Sequence, residues 1–255
     1  EQIVQERLKK LEELRKRKIN PYPNKFEVKN YSSEIHEKYS KLKNEQKTKD
    51  KVKVAGRLMS IRDFGKITFG VLQDSKGKIQ ITLQEKETPE KISEFFKKFI
   101  DSGDFVGVEG IVFRTQKGEL SVLVKNLELL SKSILPLPAK WHGLQDKEER
   151  YRKRYVDLMV NADIKEVFKT RAKIIDVVRR ILKEKEFLEV ETPSLQSVYG
   201  GASATPFTTH LNALDINLFL SISPELYLKR LVVGGFDRVF TICKNFRNEG
   251  IDFQH

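Results

Sequence analysis

The apolar positions of this chain change period along its length, and the changes mark its elements. Over residues 1–18, Ile3, Val4, Leu8, Leu11 and Leu14 recur at helical spacing among Glu, Lys and Arg, the stripe of an amphipathic helix. Asn20-Pro21-Tyr22-Pro23 stops it. A second short helix is expected over about residues 33–43. From Lys51 the period becomes two: Val52 and Val54 alternate with lysines, and Ile67, Phe69, Val71 and then Ile79, Ile81, Leu83 repeat the pattern. Asp74-Ser75-Lys76-Gly77 is a hairpin turn between the second and third strands. Thr88-Pro89-Glu90 opens a helix reaching about residue 100, with Pro where it costs no bond. Strands over about 104–114 and 119–130 flank Gln116-Lys117-Gly118. Three strands, a helix and two strands make the order of a five-stranded oligonucleotide-binding (OB) barrel.

Pro136-Leu137-Pro138 reads as a stiff linker. Beyond it, Val167, Ile174, Ile175, Val178, Ile181 and Leu182 stripe a long helix over residues 163–186, which runs into Phe187-Leu188-Glu189-Val190-Glu191-Thr192-Pro193. Pro193 implies a strand end or edge. Gly200-Gly201 lets backbone approach a ligand closely or simply makes a turn. Leu218 to Ser223 reads as a strand, and Ser223-Pro224-Glu225 as a helix entry with Ser223 as cap and Glu225 in the first turn. That carboxylate is placed to complement the helix dipole. Leu231 to Ile242 reads as a helix end, a glycine turn and a strand, leading to Phe246-Arg247-Asn248-Glu249. In extended backbone Arg247 and Glu249, two apart, share a face. The expected class is α+β: a helical extension at 1–50, the barrel at 51–135, a linker at 136–150, and an antiparallel sheet with flanking helices at 151–255.

Charge and cysteine content narrow the classes of partner. The net charge of +12 favours a polyanion, with nucleic acid first. The single cysteine, Cys243, leaves no disulfide within these residues, and is expected to act as a small apolar side chain in a buried strand. No apolar run approaches a membrane span, and a reducing cytoplasm fits the composition. The four histidines show no metal-ligand spacing, and His36 is expected on a helix surface. Arg150, Arg152, Lys153 and Arg154, interleaved with Tyr151 and Tyr155, suit an RNA backbone or a solvated helix start.

Several strings are too long and specific to be chance. Trp141-His142-Gly143-Leu144-Gln145-Asp146 with Glu149 to Leu158 resembles the signature that opens the catalytic domain of lysyl-, aspartyl- and asparaginyl-tRNA synthetases. Phe246-Arg247-Asn248-Glu249 resembles motif 2 of class II synthetases, and the helix running to Pro193 resembles motif 1, which builds their dimer interface. Ser223-Pro224-Glu225 favours the lysyl branch. The chain as a whole is similar to class II lysyl-tRNA synthetases.

That resemblance implies a set of roles. Phe69 would stack on the central anticodon base, with Arg62 and Gln80 as polar partners and Phe64 as a second stacker; by periodicity alone Phe69 would be core. No anticodon role is carried to Asn126. Gly201 and Glu225 would receive lysine, Glu225 through its α-ammonium. Arg247 would hold the lysine carboxylate and the α-phosphate of ATP, Asn248 and Glu249 the adenosine, and His255 would lie near the phosphates. Pro193 would sit at a homodimer interface. The implied partners are tRNA(Lys), lysine and ATP with Mg2+, whose ligands, like the acid reading the lysine ε-ammonium and motif 3, are expected beyond His255. On that expectation these 255 residues alone are inactive. The alternative is a non-catalytic anticodon-binding module; a paralogue branch that lysylates an elongation factor usually lacks the barrel.

Overall fold

The computed structural model describes residues 1–138, Leu144 and residues 146–250. Trp141, His142, Gly143, Gln145 and His255 lie outside the described residues. The chain forms two compact units, Glu1–Asn161 and Ala162–His255.

In the first unit, α1 (Gln2–Lys16) and α2 (Ser32–Lys38) precede five strands: β1 (Lys47–Asp63), β2 (Ile67–Gln73), β3 (Lys78–Gln84), β4 (Phe105–Arg114) and β5 (Leu120–Ser131). Helix α3 (Glu90–Phe99) stands between β3 and β4. The strands close a ring in the order β1-β2-β3-β5-β4, with β3 and β5 parallel and the other pairs antiparallel. This is the expected OB barrel. The second helix is shorter than its pattern suggested, and the first strand begins four residues earlier, at Lys47 rather than Lys51.

β1 serves two neighbours, pairing with β4 through Lys51–Arg57 and with β2 through Arg57–Asp63. At the changeover, Gly56 lies so close to β2 that a Cβ there would fall 2.3 Å from the Gln73 carbonyl oxygen. A side chain would force the strands apart, and glycine removes the obstacle. Val54, Leu58, Leu72, Ile81, Val106, Val108, Val112, Val122 and Val124 fill the interior, and Phe96 and Phe99 of α3, Leu14 of α1 and Ile35 of α2 extend the same core. The leading helices are therefore packed on the barrel.

Charge also fastens this end. The buried guanidinium of Arg7 donates to the carbonyls of Ser102, Ser133 and Leu135. The fully buried Lys132 ammonium lies 2.7 Å from Asp104 and 2.6 Å from Asp101. Asp104 also accepts from the N–H groups of Asp101 and Ser133. Burial pushes the Asp104 carboxyl up against the pull of Lys132. Burial works the same way on Asp101, but bonds from Lys10 and Lys132 outweigh it and hold that carboxyl below its ordinary value.

After residue 146, α4 (Lys147–Arg152) and α5 (Arg154–Val160) complete the unit. The Asp146 carboxylate caps α4 by accepting from the Glu149 N–H at 2.7 Å. The basic string here is internally neutralised. Arg150 and Arg154 both bind the buried Asp157, Arg152 binds Glu148 and Lys153 binds Glu149. This is the arrangement of a self-paired helix start rather than a row of free cations.

In the second unit, α6 (Ala162–Glu184) leads to β6 (Leu188–Glu189), β7 (Leu195–Gln196), β8 (Thr208–Leu211), β9 (Ile216–Leu220), α7 (Glu225–Val233) and β10 (Val239–Phe240). β7, β9 and β8 form an antiparallel sheet with β9 central, while β10 pairs with β6 in parallel. Pro193 is exposed in the irregular segment between β6 and β7, outside both strands. Two expectations are corrected. Cys243 is exposed, with its Sγ 3.7 Å from Asn245 Oδ1, because residues 241–250 form no strand that would bury it. The strand expected to carry motif 2 ends at Phe240.

We predict that Asp104→Ala destabilises the first unit by about 3 kcal/mol. This is the low end for breaking a buried pair, since Asp101 remains as a partner for Lys132. Urea unfolding measures it.

Candidate functional site

The barrel presents one candidate site on its outer surface. Along β2 the buried residues are Thr68, Gly70 and Leu72, while Ile67, Phe69 and Val71 alternate with them on the other face and are only partly buried. Strand alternation is thus real, but the face that sequence periodicity would make core is the outer one. Register aligns Phe69 with Thr82 and Val71 with Gln80 on β3, and Arg62 of β1 with Phe69. A groove of about 840 Å³ opens here, lined by Arg62, Phe64, Phe69 and Gln80 among others. All four side chains expected to meet a base therefore converge in one place.

Their environments differ. Phe64 is 68% exposed and meets Phe69 edge to face, with ring centroids 6.1 Å apart. Its loop is ordered by Asp63, whose Oδ1 accepts from the Gly65 N–H at 3.1 Å and the Thr68 hydroxyl at 2.8 Å. The Thr68 hydroxyl is the main reason the Asp63 carboxyl is held below its ordinary value; burial opposes it, and the Gly65 N–H and Lys97 assist. Gln80 is nearly buried and donates to the Ser121 hydroxyl at 2.7 Å, which fixes its amide. The same groove holds Lys78, Thr82 and Lys117, which sequence reasoning passed over. Thr82 was legible in principle, from its register position opposite Phe69.

The second unit brings together the other candidates. Gly201 has a φ of +85°, and a Cβ there would lie 2.9 Å from the Cβ of Glu225 and 3.2 Å from the Ser223 hydroxyl. The glycine loop is therefore seated on the entry of α7. The Ser223 hydroxyl accepts from the Glu225 N–H at 3.2 Å, the cap expected from sequence, and the Pro224 backbone is already helical. The exposed Glu225 carboxylate accepts from the Lys229 ammonium one turn on. It already binds an ammonium group, and such an exposed i, i+4 pair is worth only about 0.3–0.5 kcal/mol, so a ligand ammonium can displace it.

The segment bearing Arg247 is anchored without a strand. The Phe246 N–H donates to the Ser221 carbonyl at 2.9 Å, and the Asn248 N–H donates to the Thr205 carbonyl at 2.8 Å. The two bonded amides lie two apart in the chain and are held by different segments, on either side of Arg247. Arg247 and Glu249 are both exposed, and neither forms an ion pair among the described residues. Among the described residues no group of three or more His, Cys, Asp or Glu could hold a metal ion.

Two family models match the chain. A family model described as OB-fold nucleic acid binding domain matches residues 52–130. One described as tRNA synthetases class II (D, K and N) matches residues 146–255. The architecture is that of a class II synthetase chain with a nucleic-acid-binding barrel. Among curated relatives, the lysine–tRNA ligase of Methanoculleus marisnigri is 50% identical over 98% of this chain and 49% of its own length. Lysine–tRNA ligase 2 of Methanosarcina mazei is 55% identical over 93% of the chain and 46% of its own. The Thermotoga maritima lysine–tRNA ligase is 48% identical, over 100% and 51%. Along almost its whole length the chain is thus similar to lysine–tRNA ligases, and residues 146–255 match the class II synthetase model. It spans about half the length of the curated relatives it matches.

Phe69→Ala is expected to weaken binding of an anticodon stem-loop by about 1–3 kcal/mol, the worth of one base–aromatic stack. Phe64→Ala should cost less, because its ring reaches the groove only from the loop. Both variants should unfold at nearly the wild-type temperature. Fluorescence anisotropy and thermal melts provide the two readings.

Proposed function

We propose that the protein to which this chain belongs attaches lysine to tRNA(Lys) in two steps in the cytoplasm. In the first, the lysine carboxylate attacks the α-phosphorus of ATP, a P–O bond forms, and pyrophosphate leaves. In the second, the terminal ribose hydroxyl of the tRNA attacks the lysyl carbonyl and AMP leaves. The observation that carries this reading is the meeting of the Gly201 loop, the Glu225 helix entry and the 246–248 segment around Ser221 and Ser223.

Each side chain then has a role suited to its chemistry. Glu225 would exchange the Lys229 ammonium for the α-ammonium of lysine. Gly201 would leave room for the substrate beside it. Arg247 would hold the lysine carboxylate and the α-phosphate together, its planar fork bonding oxygens of both. That pairing converts a bimolecular encounter into a positioned one and offsets charge as it develops. Glu249 would accept from the adenine amino group, Asn248 would hold the adenosine, and His255 would lie near the phosphates. Mg2+ bound with ATP would supply charge neutralisation at the phosphates.

The barrel supplies RNA recognition. The central anticodon base would stack on Phe69, with Arg62 and Gln80 on its polar edges and Lys78 and Lys117 near its phosphates. We place a second copy of the chain against the segment at Pro193 and the apolar face of α6, where Val167, Ile174, Val178 and Ile181 are 42–63% exposed. Among the described residues no helix is long and apolar enough to cross a membrane.

The full-length protein should catalyse ATP–pyrophosphate exchange that depends on lysine and not on aspartate or asparagine. Arg247→Ala should reduce its kcat/KM by at least about a hundredfold, as for loss of a charged group acting in the transition state. Glu225→Gln should act chiefly through the KM for lysine. Absence of lysine-dependent exchange in the wild-type protein would favour a module that only binds the anticodon.

A further inference from the structure

Two buried side chains behind the substrate loops have no role in the scheme so far. Gln196, in β7, and Ser221, just after β9, are each only 3% exposed. The Gln196 amide donates to the Ser221 hydroxyl at 3.0 Å, and that hydroxyl donates to the Ser223 carbonyl at 3.2 Å. A serine hydroxyl has one proton and turns freely. With its lone pair engaged by the amide, the proton is directed at Ser223. The Ser223 side chain in turn holds the Glu225 N–H. The Ser221 backbone is committed as well: its N–H donates to the Ser194 carbonyl at 2.8 Å, and its carbonyl accepts from Phe246 beside Arg247. One residue is thus bonded to the segment that would read the lysine ammonium and to the segment that would read its carboxylate and the nucleotide.

We propose that Gln196 is a positioning residue of the lysine and ATP site, acting through Ser221 to hold the Glu225 and Arg247 segments in register. The inference rests on the lysine-activation reading. The amide touches no substrate. Its work is to stop the Ser221 hydroxyl from turning and to tie β7 to both binding segments. Small displacements at such a point carry a large kinetic cost, because the reacting groups must be held within a narrow range.

The test is steady-state lysine-dependent exchange with the full-length protein, comparing wild type, Gln196→Leu, Ser221→Ala and the double variant. Gln196→Leu should raise the KM for lysine and for ATP together, lowering kcat/KM about tenfold, as for one buried hydrogen bond lost. The double variant should be no worse than Ser221→Ala, since both act on one node. If Gln196→Leu does not fold, as judged by circular dichroism, Gln196→Met keeps the unbranched chain and is read the same way. Wild-type KM values in a folded Gln196 variant, or fully additive losses, would overturn the proposal. Wild-type protein without lysine-dependent exchange would overturn the activation reading and this inference with it.

Discussion

Closing five strands into a ring leaves no free edge and forces each strand to divide its residues between inside and outside. The first unit depends on that division. Inside, Val54, Leu58, Leu72 and Ile81 meet α3 and the leading helices. Outside, the alternation on β2 presents Phe69 and Val71, in register with Thr82 and Gln80 of β3, a strand buried from Ile79 to Leu83. The groove is thus the outer face of the strands that make the core, which gives the stacking side chains a rigid base. The buried Lys132, Asp104 and Asp101 cluster ties α1 to the far end of β5 through Lys10. Surface pairs such as Arg152 with Glu148 contribute little by comparison, because water screens them.

The second unit rests on fewer bonds. Its two sheets have three and two short strands, and the 246–248 segment lies outside regular structure. Precision there comes from individual hydrogen bonds: Phe246 on Ser221, Asn248 on Thr205, and Glu225 on Ser223. Backbone amides are suited to this task because they have no rotamers to lose. The side chains that would touch substrate are left exposed and lightly paired, so that a ligand meets little competition.

Much of this was legible in the chain. The period-two runs from Val52 onward and the turn at Asp74-Ser75-Lys76-Gly77 specified the barrel, because alternation and turn chemistry are local signals. The cap at Ser223 was legible for the same reason. Phe69 was not settled by pattern alone: alternation identifies two faces but not which one is buried, and on β2 the interior took Thr68 and Gly70 in place of the larger residues. Cys243 was misread because its apolar neighbours suggest a strand, whereas the segment after Phe240 is held by single backbone bonds to Ser221 and Thr205, far away in sequence. Arg7 and Lys132 gave no sign of burial, since their partners lie far away in sequence. Gln196 and Ser221 were silent for the same reason.

On the proposed function, a base-reading barrel and a lysine-activating site serve one reaction. The most direct test is aminoacylation by the full-length protein of two tRNA(Lys) transcripts differing only in the central anticodon base. The account predicts that the substituted transcript is charged with a kcat/KM lower by about one to two orders of magnitude, as for a lost base contact. Equal charging of the two transcripts would contradict it.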